Sequence, residues 1–245
     1  MNNIIDESAK IGQNFSIGHN SIVMEGVNIG KNVNIGHNVV IYPHTQIANN
    51  VTILDNAVIG KQPSKISTLT RKIDKEHFPC EIGEGSIIGT AAIIYAGTKI
   101  GKNCFIADLA SIREKCIIKD HVIIGRVVTI EYETTVGEYS RIMTHSQITG
   151  NMIIEDHVFF GGSVASTNDK YMTSGKWEGP IVKSGARIGA NATIIGGNTV
   201  GKGALIGAGA VVANDVPDGK VALGVPARVT KNAPSNKVRN RSGTK

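Results

Sequence analysis

The sequence predicts an all-β chain wound into a triangular parallel coil, and three observations predict it. Aliphatic residues recur every six positions. Counting from Ile5, positions 11, 17, 23, 29, 35, 41, 47, 53 and 59 are all Ile or Val. No helix and no ordinary strand holds a period of six that long. The residue four places beyond each aliphatic is usually small or β-branched, as at Ser21, Val27, Val33, Ala92, Thr98, Cys104, Ala110, Thr134, Ala186 and Ala210. The chain also carries 29 glycines and only 4% aromatic residues. Its core must therefore be built from Ile, Val and Ala rather than from Phe, Tyr and Trp.

Each element follows from that period. The first run spans Ile5 to Ile59, the second Ile82 to Phe160 and the third Val182 to Val212, giving 30 positions, of which 29 are Ile or Val. One large and one small inward residue per six describe a short flat strand and a corner, and three such strands close a turn of 18 residues. Thirty hexads make about ten turns, a prism roughly 45–50 Å long at about 4.8 Å between stacked strands. Two stretches break the phase, residues 60–81 and 166–181, and are expected to be loop excursions. Residues 1–230 form one coiled domain. Residues 231–245, with Lys231, Lys237, Arg239, Arg241, Lys245 and no acid, form a basic tail expected to be solvated.

That tail supplies five of the six net positive charges on the 245-residue chain, leaving the body nearly neutral. A nucleic-acid partner is not expected, because it needs a basic face on the folded part. Three cysteines, Cys80, Cys104 and Cys116, fit a reducing, cytoplasmic setting. Asp6, Glu7 and Lys10 interrupt any apolar run at the start. No stretch approaches the ~20 apolar residues of a membrane span.

The hexads IGHN, IGKN, IGEG and IGAG resemble those of the hexapeptide-repeat acyltransferases over about residues 5–230. The stretch IGAGAVVANDVPDGKVALGVPARV is similar to the end of many acetyltransferases of that group. VIGKQP at 58–63, QITGN at 147–151 and STND at 166–169 resemble more narrowly the bacterial nucleotide-amino-sugar N-acyltransferases. The resemblance implies a left-handed parallel β-helix, a homotrimer with sites in the clefts between prisms, and acetyl-CoA or another acyl-CoA as co-substrate. It implies as acceptor the amine of a dTDP- or UDP-linked deoxyaminosugar.

Counting then places candidate residues. Residues 18 apart stack directly. Glu133 is the fourth residue of the Ile130 hexad and Asn151 the fourth of the Ile148 hexad, so both lie on one corner in adjacent turns. His145, fourth in the Ile142 hexad, lies on a different corner. An amine attacking a thioester must be held unprotonated and aimed, and the tetrahedral oxyanion must be stabilised. Glu133 or His145 is the candidate base, and Asn151 orients the amine or sugar hydroxyls. The resemblance implies an acid–amide pair beside the amine, carried here to Glu133 and Asn151. Tyr132 is a candidate sugar contact and Glu131 a bystander or sugar contact.

If the strand at Ile82 takes the face after that at Ile59, both loops leave from the edge that carries Glu133 and Asn151. Residues 60–81 then hold the nucleotide, with Lys61, Arg71 or Lys72 near the diphosphate. Residues 166–180 border the sugar or acyl group, with Asn168 and Asp169 closest. The acyl donor is expected against the C-terminal turns, where Ala190 and Ala208 are small corners 18 apart and Lys183, Lys202 and Arg228 can meet phosphates. His19, His37 and Asp55, also 18 apart, suggest a metal ladder. The zinc carbonic anhydrases that share this architecture show two histidines five apart, which this chain lacks, so the ladder reads as a polar edge and no metal is expected. Cys104 and Cys116 fall in the small inward slot and read as packed thiols. The alternatives are an O-acetyltransferase of a smaller acceptor and a non-catalytic scaffold. The loop at 60–81 argues against the first, the loop at 166–181 and the GVPARV end against the second.

Overall fold

A computed structural model describes residues 2–65, 73, 78–172 and 175–234. Its strands are mostly two residues long and build three sheets of 11, 10 and 12 strands. Sheet 1 runs from Ile4–Ile5 to Val211–Val212, sheet 2 from Lys10–Ile11 to Thr199–Val200, and sheet 3 from Ser16–Ile17 to Arg228–Asn232. Successive strands visit the three sheets in turn and pair in parallel with the strand 18 residues on, as Ile112 with Ile130 and Ile130 with Ile148. The result is a parallel β-solenoid of about eleven turns, and no helix occurs among the described residues. The left hand implied by the resemblance is consistent with this arrangement.

The six-residue period explains each turn. The phase residue points inward, and the core is a stack of Ile and Val along three inner faces: Ile41, Ile59, Ile94, Ile112, Ile130 and Ile148 are fully buried in sheet 1. Three residues later the chain turns in the left-handed region. Asn14, Asn32 and Asn50 have φ near 55–59°, and Glu133, His145 and Asn151 have φ of 55°, 62° and 60°. Asn tolerates this conformation better than most residues, which is why the early corners read N. At the next position a small residue turns inward. Where it is polar it satisfies backbone groups of neighbouring turns: Ser140 Oγ donates to the Glu155 carbonyl at 2.9 Å and accepts from the Val158 N–H at 3.0 Å.

Two departures from the sequence reading stand out. The count of ten turns is short by one. Ser166 also occupies a phase position and is buried, with its Oγ accepting the Thr149 N–H at 2.9 Å. Beyond Val212, strand Lys220–Leu223 continues sheet 3 and Arg228–Asn232 folds back antiparallel upon it. Counting only Ile and Val missed these because a hydroxyl fills one slot and an antiparallel return has no hexad. That last strand also carries the ordered chain two residues past the expected boundary at 230.

The register across the first loop is as counted. Ile59 pairs with Ile94, after a shift between Ile59 and Lys61 where the first loop leaves. Ile154 pairs with Val182 across the second.

Candidate active site at the edge between sheets 1 and 2

Three neighbouring columns, each with an 18-residue step, climb the edge where sheet 1 turns into sheet 2. The first is Tyr95, Arg113, Glu131 and Thr149; the second Ala96, Glu114, Tyr132, Gly150 and Asn168; the third Gly97, Lys115, Glu133 and Asn151. Backbone hydrogen bonds tie the turns, from Glu133 N–H to the Glu114 carbonyl at 3.1 Å and from Asn151 N–H to the Tyr132 carbonyl at 3.0 Å.

The lower half is a charge network. The Lys61 ammonium and the Arg113 guanidinium both lie against the Tyr95 ring, at 5.5 and 5.0 Å from its centroid. Arg113 Nε donates to the buried Glu114 carboxylate at 2.9 Å and its Nη1 lies 3.7 Å from Glu131. Burial works against the guanidinium charge, but the Glu114 hydrogen bond and the Glu114 and Glu131 charges outweigh it and hold Arg113 above its ordinary value. The Lys115 ammonium reaches Glu133 at 3.9 Å and sits over the Phe78 ring at 5.6 Å, where the first loop returns. Gly97 N–H fixes that return by donating to the Phe78 carbonyl.

The upper half meets the second loop. Asn151 Nδ2 donates to the Trp177 carbonyl at 3.4 Å. Gly179 packs so closely on the Asn151 backbone that a Cβ there would collide with it. Tyr132 lays its ring across Gly150, where a Cβ would come within 2.7 Å of the ring. The ring thereby spans a whole turn, and its hydroxyl accepts from Asn168 Nδ2 at 3.3 Å. Asp169 Oδ1 accepts the Tyr171 N–H. Glu133 is about half exposed on this edge, between the two loops.

Of the residues singled out from sequence, this edge brings together Lys61, Tyr132, Glu133, Asn151, Asn168 and Asp169. Arg71 and Lys72 lie outside the described residues. His145 stands on the edge between sheets 3 and 1, exposed to solvent, with its N–H bonded to the Arg126 carbonyl. Ala190 and Ala208 share that edge, and Arg228 pairs with Leu223 at its C-terminal end. Lys183 and Lys202 flank the third edge, between sheets 2 and 3. The donor set predicted from sequence is therefore divided between two edges. Gly185, Gly203 and Gly219 on the one and Gly209 on the other leave open space where a Cβ would project.

Sequence reasoning missed Tyr95, Arg113, Glu114, Lys115, Gly150, Phe78 and Trp177. The 18-residue step that joined Glu133 to Asn151 also joins Tyr95 to Arg113 to Glu131, and Lys115 to Glu133, so that signal was present. Phe78 and Trp177 lie in loops without a period, and nothing local marks them.

The histidine ladder is a polar edge. His37 Nδ1 accepts the His19 N–H at 2.8 Å and Asp55 Oδ1 accepts the His37 N–H at 2.7 Å. The same Asx bond recurs at Asp108, Asp120, Asp156 and Asp218. Cys80, Cys104 and Cys116 are buried free thiols. Burial pushes Cys80 and Cys116 up to about 12 and raises Cys104 in the same direction.

Comparison with known proteins places this geometry. The family described as bacterial transferase hexapeptide (six repeats) matches residues 8–43 and 26–61, and that described as hexapeptide repeat of succinyl-transferase matches residues 79–107 and 183–213. A dTDP-3-amino-3,6-dideoxy-alpha-D-galactopyranose 3-N-acetyltransferase of Aneurinibacillus thermoaerophilus is 47% identical over 49 residues, 20% of this chain. The match spans only about a quarter (26%) of that relative's length. The UDP-N-acetylglucosamine acyltransferase of Francisella novicida superposes with a TM-score of 0.56 at 23% identity, covering 93% of this chain and 67% of the other. The Arabidopsis UDP-N-acetylglucosamine acyltransferase superposes with a TM-score of 0.59 at 17% identity, over 94% and 72%. At such identity these two likenesses speak to the fold alone.

Proposed function

Since the chain belongs to the hexapeptide-repeat acyltransferases, we propose that it transfers an acyl group from acyl-CoA, acetyl-CoA in the first instance, to the amine of a dTDP- or UDP-linked deoxyaminosugar. One observation carries the reading. The edge that stacks Glu133 on Lys115 and Asn151 against the second loop is also the edge from which both loops leave. Loops can wall a cleft there without disturbing the stacked core. The resemblance of the carrying motifs to the amino-sugar enzymes, and the name of the Aneurinibacillus relative, support the acceptor class.

In this reading Glu133, exposed and within reach of one lysine, hydrogen-bonds the acceptor ammonium and takes its proton. Asn151, fixed by the Trp177 carbonyl, orients the amine or a neighbouring hydroxyl. Lys61 serves the diphosphate from the mouth of the first loop. Tyr132 and Asn168 already bond each other, so they act as one unit beside the sugar. The acyl donor lies against the C-terminal turns, with Ala190 and Ala208 giving access to the backbone.

The test is release of free CoA thiol from acetyl-CoA against a panel of dTDP- and UDP-aminosugars, with free sugars and serine as hydroxyl acceptors. Turnover on aminosugars alone supports N-acylation of a nucleotide sugar. Turnover only on the hydroxyl acceptors replaces it with O-acylation, and turnover on none rejects both.

A further inference from the structure

The cations on the edge between sheets 1 and 2 are held unequally. Arg113 is pinned: its Nε and Nη2 donate to the Glu114 carboxylate at 2.9 and 3.3 Å, and its Nη1 lies 3.7 Å from Glu131. The Glu114 side chain is only 6% exposed, so moving the guanidinium away would strand a buried charge. Lys115 is held loosely. Its ammonium stands 3.9 Å from Glu133 Oε1, with the two side chains 32% and 48% exposed. An exposed ion pair of that length contributes little, and a compact ammonium on a four-carbon stem changes partner readily.

Lys115 also meets the first loop. Lys61 stands where that loop leaves, its ammonium over the Tyr95 ring at 5.5 Å. Phe78 stands where it returns, its carbonyl accepting the Gly97 N–H at 2.9 Å and its ring 5.6 Å from the Lys115 ammonium. One ammonium therefore faces both the root of the loop proposed to serve the diphosphate and the carboxylate proposed to serve the amine. The corner itself does not call for lysine. Lys115 has φ of 60°, and the same corner one turn below is Gly97. Asn or Gly takes that conformation at lower cost.

We propose that Lys115 is a positioning residue that exchanges partners: it neutralises Glu133 until a nucleotide-linked acceptor binds, then moves to the diphosphate and leaves Glu133 to the acceptor amine. This rests on the acceptor reading given above and adds to it the reason a diphosphate is needed. A diphosphate carries more negative charge than one carboxylate, so it takes the ammonium. The substrate ammonium replaces Lys115 beside Glu133, so the carboxylate is never left without a cation. An aminosugar that lacks the diphosphate must instead compete with Lys115 for Glu133. Selectivity for nucleotide-linked acceptors is thereby built into the base, and Arg113, tied to a buried carboxylate, cannot take that part.

The exchange is measurable without turnover. Where Glu133 and a diphosphate compete for Lys115, removing the carboxylate charge tightens diphosphate binding, and does so only while Lys115 is present. Titration calorimetry with dTDP and with UDP, on the full chain, compares wild type, Glu133→Gln, Lys115→Met and the double variant. Glu133→Gln is expected to bind about two- to fivefold more tightly than wild type, the range an exposed ion pair commands. Lys115→Met, which keeps an unbranched stem beside Phe78, is expected to bind about tenfold more weakly, and Lys115→Arg to recover most of that loss. Adding Glu133→Gln to Lys115→Met is expected to change nothing. Lys115→Gln takes the place of the methionine variant if that variant does not fold. Equal tightening in both backgrounds shows plain repulsion between Glu133 and phosphate and overturns the exchange. So does no tightening in either background, or wild-type affinity in Lys115→Met. A wild type that acylates nucleotide-linked aminosugars without this linkage rejects the exchange and leaves the acyl-transfer reading standing. A wild type that shows the linkage but acylates no aminosugar rejects that reading and leaves the movement of Lys115 between carboxylate and diphosphate intact. A wild type that binds neither nucleotide overturns the exchange together with the diphosphate role of the first loop.

Discussion

Replacing Gly150 with Ala isolates the contact that lets Tyr132 cross a turn. Gly150 does not have positive φ, so Ala brings no backbone strain and the effect is steric. A Cβ would meet three ring atoms of Tyr132 at 2.7, 2.8 and 3.0 Å, where ordinary contacts begin near 3.4 Å. Keeping the ring in place means overpacking, about 1–3 kcal/mol. The ring is only partly buried, so it can swing towards solvent instead. That loses the hydrogen bond from Asn168, about 0.5–1.5 kcal/mol, together with some ring burial. The molecule takes the cheaper route, so the expected destabilisation is about 1–2 kcal/mol, or a fall of about 2–8 °C in Tm for a chain of this size.

The decisive measurement is a double-mutant cycle. In a Tyr132→Ala background the obstacle is gone, and Gly150→Ala is expected to be neutral, or stabilising by a few tenths of a kcal/mol up to about 1 through the unfolded chain. The coupling between the two changes should then be about 1 kcal/mol or more. Under the proposed function Tyr132 and Asn168 act as a unit beside the acceptor, and Gly150→Ala should then also raise the acceptor KM more than it lowers kcat. An equal loss of Tm in both backgrounds, or an unchanged KM, would refute the reasoning.

Three further outcomes are expected. Glu133→Ala and Asn151→Ala should each lower kcat/KM by about 10²-fold or more; Glu133→Ala exchanges one strained corner residue for another and should change Tm little, while Asn151→Ala takes Asn from a corner at φ 60° and should cost a few degrees; wild-type rates in either remove that residue from the mechanism. Cys80 and Cys116 have folded values near 12 against an ordinary 9.0, so the fold accommodates only the neutral thiol: stability should be flat below pH 9 and fall as pH rises from 9 towards 12, by up to about 1.4 kcal/mol per thiol per pH unit, with Cys→Ser variants showing a shallower decline. Val127 sits at φ 58°, where a β-branched residue is strained by about 1–2 kcal/mol, and Val127→Asn should raise Tm by a few degrees; a lower Tm would show that its packing outweighs the strain.

The solenoid was legible because its period is long and its inward residues are nearly all Ile or Val. Counting across the first loop pairs Ile59 with Ile94, and the pair forms. Counting also put Glu133, Asn151 and the two loops on one edge, because stacking converts sequence separation into height. It failed where that conversion fails. Phe78 and Trp177 reach the site from loops, and the Gly150–Tyr132 contact depends on a ring lying flat along the edge rather than projecting outward. Lys183 and Ala190 fall on different edges although only seven residues separate them, since a single corner and strand turn the chain to a new face.

The corners themselves separate what the fold requires from what it tolerates. Each turn needs a residue at positive φ, and in the N-terminal turns Asn14, Asn32 and Asn50 meet that need while bonding one another side chain to side chain at 2.9 and 3.0 Å. From residue 109 to residue 145 the seven successive corners are Leu109, Lys115, His121, Val127, Glu133, Tyr139 and His145, all at positive φ and none of them Gly or Asn. Each carries a strain that Asn or Gly would largely relieve, about 1 kcal/mol or more for most side chains. A fold that uses Asn ladders elsewhere does not need these residues here. The strain is concentrated in the turns that carry the Lys115–Glu133 pair, the stacked rings of His121 and Tyr139, and the apolar edge at Leu109 and Val127. Sites that break a local rule are where function is expected, and these seven corners fall at the heights of the proposed acceptor site.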